Sequence, residues 1–110
     1  MATPELLRSW ARTEAFLRDA RAHLSQIAEA DFADGIAHFE EFIEHNELGL
    51  AFDTLESIAN ESHWESQRVF ELLALAAASM GQHDRQRVLD AKLSTLKGCK
   101  YETSLLDGDA

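Results

Sequence analysis

A chain of 110 residues, 45% of them hydrophobic, is one domain's worth of sequence with enough apolar side chains to bury its own core. Its single cysteine excludes an internal disulfide and a multi-cysteine zinc site. The formal net charge is −10, and all of it falls in the middle third: residues 31–65 carry ten acidic side chains and no Lys or Arg, while residues 1–30 carry four of each sign and residues 66–110 six of each.

That distribution excludes direct nucleic-acid binding by the middle segment, because a phosphate polyanion is repelled there. It favours a basic protein surface, which the field attracts and steers. The alternative is a solvated acidic face that maintains solubility. One cysteine and no apolar leader point to a reducing cytoplasm. The longest apolar run, Leu72 to Ala78, is too short to span a bilayer. One proline and five glycines are too few for a turn-rich β protein.

The first predicted helix opens at Thr3-Pro4-Glu5, with Thr3 as cap, Pro4 at the first helical position and Glu5 at the positive end of the dipole. Leu6, Trp10, Thr13, Leu17, Ala20, Leu24 and Ile27 form one 4-3 stripe, so a single helix of roughly 25 residues is expected, about 38 Å long. Such a stripe covers a helical core, or forms a seam shared between two copies in a homodimer.

A second helix is expected after a cap at Asp31, with Phe32, Ile36, Phe39 and Ile43 inward. Asn46 separates it from a third helix and offers a side-chain acceptor to that helix's first amides. The third helix places Leu48, Ala51, Phe52, Leu55, Ile58 and Ala59 inward, and Gly49, Leu50, Asp53, Ser57 and Asn60 outward. Gly49 is tolerable in a first turn, or useful where another backbone passes close. Ser62-His63-Trp64-Glu65 reads as a capping box. The fourth helix, Val69 to Met80, is apolar on nearly every side and alanine-rich, so other helices should surround it. Gly81 is placed to stop it. A last helix from Asp84 to Leu96 has Val88, Leu89, Leu93 and Leu96 inward and ends at Gly98.

The expected architecture is all-α: a compact bundle of four to five helices, arranged as hairpins around the apolar fourth. Residues 1–97 form the domain, and residues 98–110 are a tail expected to fray.

Chemistry is sparse. No Glu lies three residues before any histidine and there is no H-E-x-x-H, so the bundle di-metal and zincin patterns are missing. His38, Glu41 and His45 share a helix face, as ligands or as ordinary polar residues. Cys99 has Lys97 and Lys100 beside it but no histidine close in sequence to act as a base. No nucleophile elbow, Walker loop or dinucleotide fingerprint is present. The reading is therefore non-enzymatic, without cofactor or metal. The candidate partner-binding residues are Glu40, Glu41, Glu44, Glu47, Asp53 and Glu56, with Leu50 as an apolar contact. His38, His45 and His63 lie among these carboxylates, which raise histidine proton affinity, so protonation would weaken the acidic field.

Phe42, Ile43, His45, Glu47, Leu48, Ala51, Phe52 and Leu55 resemble the central motif of the Maf-type small helical immunity proteins of bacterial polymorphic-toxin systems. That motif reads aromatic-Leu-x-His-x-Glu-Tyr-x-x-Ala-Leu-x-x-Leu. The chain departs from it at Ile43, at Asn46 where glycine is usual, and at Leu48 where an aromatic is usual. The resemblance covers about 20 of the 110 residues. It implies a cytoplasmic protein that binds and neutralises a cognate toxin, and a carboxylate-rich surface suits the basic cleft of a nuclease. The same stretch, with the segment 72–93, also resembles tetratricopeptide grammar, which implies an adaptor that docks a peptide; the 34-residue repeat itself is not reproduced. A helical small-ligand binder or enzyme is the third reading.

Overall fold

The computed structural model describes residues 3–62 and 67–105. Among them are six helices and no strand: α1 (Pro4–Ala22), α2 (Gln26–Asp31), α3 (Ala33–Glu44), α4 (Leu48–Glu61), α5 (Gln67–Ser79) and α6 (His83–Lys97). The all-α bundle expected from the periodicity is the fold. No described helix is long and apolar enough to cross a membrane.

The N-terminal stripe is not one helix. Thr3 caps α1 as expected, accepting from the Leu6 amide at 3.1 Å. The helix then stops at His23, and Ser25 caps a new short helix by accepting from the Ala28 amide at 3.1 Å. A serine hydroxyl competes with the helical backbone for its amides, and here it wins. Leu17, Ala20, Leu24 and Ala28 are buried on both sides of the break, but Ile27 is 54% exposed. Asp31 is the last residue of α2 and caps nothing. The chain bends at Phe32, which closes α2 and leads into α3 without a side-chain cap.

The middle of the chain follows its pattern closely. Ile36, Phe39 and Ile43 of α3 are buried, as are all six inward residues expected of α4. A Cβ on Gly35 would sit 3.2 Å from the Ile58 methyl, so α3 and α4 pack closely there. The capping box at 62–65 lies largely outside the described residues. α5 is the core helix: it packs on α1, α4 and α6, and Val69, Leu73, Ala74, Ala76 and Ala77 are fully buried. Its alanines admit three neighbours at close range.

α6 buries a narrower seam than expected. Leu89 and Leu93 are buried, but Val88 is 67% and Leu96 48% exposed. The flank formed by Gln86, Asp90 and Ser94 is used instead to hold the following segment. Asp90 accepts from the Thr103 amide at 3.0 Å and from its hydroxyl at 2.6 Å, Ser94 accepts from the Tyr101 amide at 2.9 Å, and Gln86 donates to the Thr103 carbonyl at 3.2 Å. Within the segment expected to fray, residues 101–103 are tied to α6 through Thr103, and half-buried Tyr101 packs against the core; residues 106–110 lie outside the described residues.

Candidate docking site at the corner between α3 and α4

The corner is a Schellman turn. The Glu47 amide donates to the Phe42 carbonyl at 2.8 Å, and the Asn46 amide donates to the Ile43 carbonyl at 3.1 Å. Asn46 takes the left-handed conformation that this turn requires, with φ +56°. Its role is thus to close α3 rather than to cap α4. Glu47 occupies the cap position of α4 without a side-chain cap bond. The turn fixes the directions of both helices, so side chains on it are held on rigid backbone.

Three of the predicted acidic residues meet at this corner. Glu41 and Glu44 lie in the last turns of α3, Glu47 leads α4, and all three are exposed. None of them forms an ion pair among the described residues. The placement is unfavourable for stability. Carboxylates at a helix C-terminus oppose the macrodipole, and Glu41 and Glu44 repel each other at i, i+3. No basic residue occupies the last turn of α3 to offset them.

His45 stands in the middle of this group. Its Nδ1 donates to the Glu41 carbonyl at 2.8 Å. That bond, followed by the charges of Glu41, Glu47 and Glu44, holds its proton above the ordinary histidine range. Among the described residues no group of three or more His, Cys, Asp or Glu side chains is arranged to hold a metal ion, the His38–Glu41–His45 trio included. Cys99 is exposed.

Two of the other predicted acidic residues, Glu40 and Asp53, are paired with cations from the two ends of the chain. Glu40 lies 3.7 Å from both Arg18 and Arg21 of α1. Asp53 pairs with Arg85 of α6. Glu56 is partly buried, which lifts its carboxyl above the usual range, while Arg85 and Lys92 oppose that shift. Sequence separation hid these partners, since the helices that carry them flank the acidic segment only after folding. Leu50 is 49% exposed on the outer face of α4, as expected.

Beside the corner lies a cleft of about 370 Å³ that the sequence did not reveal. Leu6 and Trp10 of α1 form one wall, Leu48 and Gly49 of α4 a second, and Met80 after α5 a third. Its polar floor is Thr13 and Ser79, both buried, with hydroxyls 2.7 Å apart. Ser9 donates to the Ser79 carbonyl at 3.2 Å, and Arg12 donates to the Ser79 hydroxyl at 3.3 Å. The signal available in sequence was a lone threonine in an apolar stripe and a lone serine after four alanines.

No family model, curated protein or solved structure matches the chain. Its function is argued from its own residues.

Proposed function

We propose that the chain is a non-enzymatic binding protein that docks a basic protein surface through the corner formed by Glu41, Glu44 and Glu47. The observation that carries this reading is the position of those carboxylates. All three are exposed and form no ion pair among the described residues, and Glu41 and Glu44 sit at the α3 C-terminus, where carboxylates oppose the dipole. Side chains kept against the local electrostatics serve an interaction outside the fold. Glu40 and Asp53 pair within the fold and Glu56 is partly buried, so these three move out of the proposed contact set; Leu50 remains a peripheral apolar contact.

Under the resemblance to Maf-type immunity proteins, the partner we propose is a toxin with a cationic cleft, neutralised by occlusion. The test is co-expression and co-purification with the wild-type chain and with the Glu41→Lys, Glu44→Lys, Glu47→Lys triple variant. The expected result is a partner whose activity the wild type suppresses, whose association slows steeply in the triple variant and whose capture weakens with salt. A partner held equally by both proteins would remove the proposal.

A helical adaptor is the second reading. The open cleft between α1, α4 and the end of α5 favours it, because such a groove suits a side chain of a docked segment.

A further inference from the structure

Gly49 is the described glycine for which neither backbone nor packing supplies a reason. Gly81 and Gly98 have φ of +74° and +73°, which other residues rarely adopt. A Cβ added to Gly35 would come within 3.2 Å of the Ile58 methyl. Gly49 lies inside α4 with no positive φ, and a Cβ built on it would meet nothing within 4 Å. It stands in the first turn of α4, where glycine costs the helix little, and it is exposed. Gly49 lines a wall of the cleft.

Around that wall the surface is apolar and open. Leu6 is 41% exposed, and Trp10 and Met80 are only partly buried against the core. The cleft volume of about 370 Å³ is at the low end of ligand pockets, which run from roughly 300 to 1,000 Å³. On its α3–α4 side the flanking charge is negative: Glu47 sits between the lining residues Asn46 and Leu48, and Glu44 ends the helix that leads to them. On the α1 side, Arg8 pairs with Glu5 at 3.8 Å, and Arg12 keeps its charge while donating to the Ser79 hydroxyl at 3.3 Å, so the acidic side of the cleft is the one formed by the α3–α4 corner.

We propose that this cleft receives an apolar side chain from a partner segment that carries Lys or Arg next to it. The apolar side chain enters over Gly49, and the flanking cation meets Glu44 and Glu47. The inference rests on the docking role of the acidic corner and adds the apolar half of the recognition.

The probes are three capped peptides, Lys-Leu-Leu-Lys, Lys-Ser-Ser-Lys and Glu-Leu-Leu-Glu, titrated to millimolar concentration into the ¹⁵N-labelled full chain. The expected result is saturable movement of the Gly49 amide and Trp10 indole resonances with Lys-Leu-Leu-Lys alone. Gly49→Phe fills the cleft and should weaken this binding about tenfold or more, the loss expected for one buried apolar side chain. Leu6→Ser, at an exposed wall position, should weaken it as well, and serves if Gly49→Phe does not fold.

If Lys-Leu-Leu-Lys and Lys-Ser-Ser-Lys move only the amides of residues 41–47, and do so alike, the acidic corner stands and the cleft inference falls. If Lys-Leu-Leu-Lys fills the cleft but Glu44→Lys with Glu47→Lys does not weaken it, the cleft stands and the acidic reading falls. Equal binding of Glu-Leu-Leu-Glu, no movement with any peptide, or cleft resonances that shift with protein concentration alone, as a second copy would cause, each overturns the proposal.

Discussion

The hydroxyls of Thr13 on α1 and Ser79 on α5 lie 2.7 Å apart, and both side chains are buried. They form a polar contact between the two helices that share the cleft floor. The Thr13 hydroxyl is also 2.9 Å from the Ser9 carbonyl, so it stays partnered if Ser79 is removed.

Thr13→Val keeps the shape and removes the hydroxyl. It should cost about 1–3 kcal/mol, because it leaves buried Ser79 with poorer partners. Ser79→Ala should cost less. The double variant should lose less than the sum of the two, since no orphaned hydroxyl remains. Urea denaturation of the four proteins measures the coupling, and strict additivity would mean the two hydroxyls do not interact.

The predicted acidic residues should separate into two groups by stability. Glu40→Lys with Asp53→Lys breaks contacts to Arg18, Arg21 and Arg85 and sets cations against them, so the fold should weaken by about 1 kcal/mol or more. Glu41→Lys with Glu44→Lys places cations at the α3 C-terminus, which the macrodipole favours. Stability should stay within about 0.5 kcal/mol of wild type or rise. Thermal melts at low salt decide between this and a structural role for the corner.

This division marks where the sequence was legible. Period-3.6 patterning identified the buried faces of α3 and α4 residue by residue, because each helix buries one wide stripe. It failed where one polar side chain overrides the period. Ser25 breaks a stripe that continues past it, and Asp90 with Ser94 turns α6 toward the segment at 101–103 rather than burying Val88 and Leu96. Charge neutralisation was also not legible. Arg21 and Glu40 are nineteen positions apart by number, and Asp53 and Arg85 thirty-two, so local composition showed an acidic block that folding partly neutralises.

Asn46 should be the most sensitive backbone position at the corner. Its φ of +56° costs an ordinary L-residue roughly 1–2 kcal/mol. Asn46→Ala should therefore lower Tm by several degrees, and Asn46→Gly should match or exceed the wild type. The same two variants report on function. If the turn positions Glu41, Glu44 and Glu47, Asn46→Ala should slow association with a basic partner at a temperature where the variant is fully folded, and Asn46→Gly should not.

His45 makes the corner sensitive to pH, and the sign follows from its surroundings. The Glu41 carbonyl accepts from its Nδ1, and Glu41, Glu44 and Glu47 supply negative charge, so the folded state binds the proton more tightly than the ordinary value of 6.5 implies. A raised folded pKa means that the histidine's favourable interactions are fully present below about pH 6.5 and are lost as pH rises through the folded value. Docking runs the other way. Protonation places one positive charge among three carboxylates and weakens the field that attracts a cationic partner. Association should therefore slow a few-fold between pH 8 and pH 6, because steering by exposed charge acts mainly on the encounter rate. His45→Gln, which keeps a donor for the Glu41 carbonyl and cannot titrate, should bind with the same rate at both pH values. Stopped-flow association of the two proteins with one basic partner provides the measurement, and a wild-type rate that does not change with pH would show that His45 lies outside the contact.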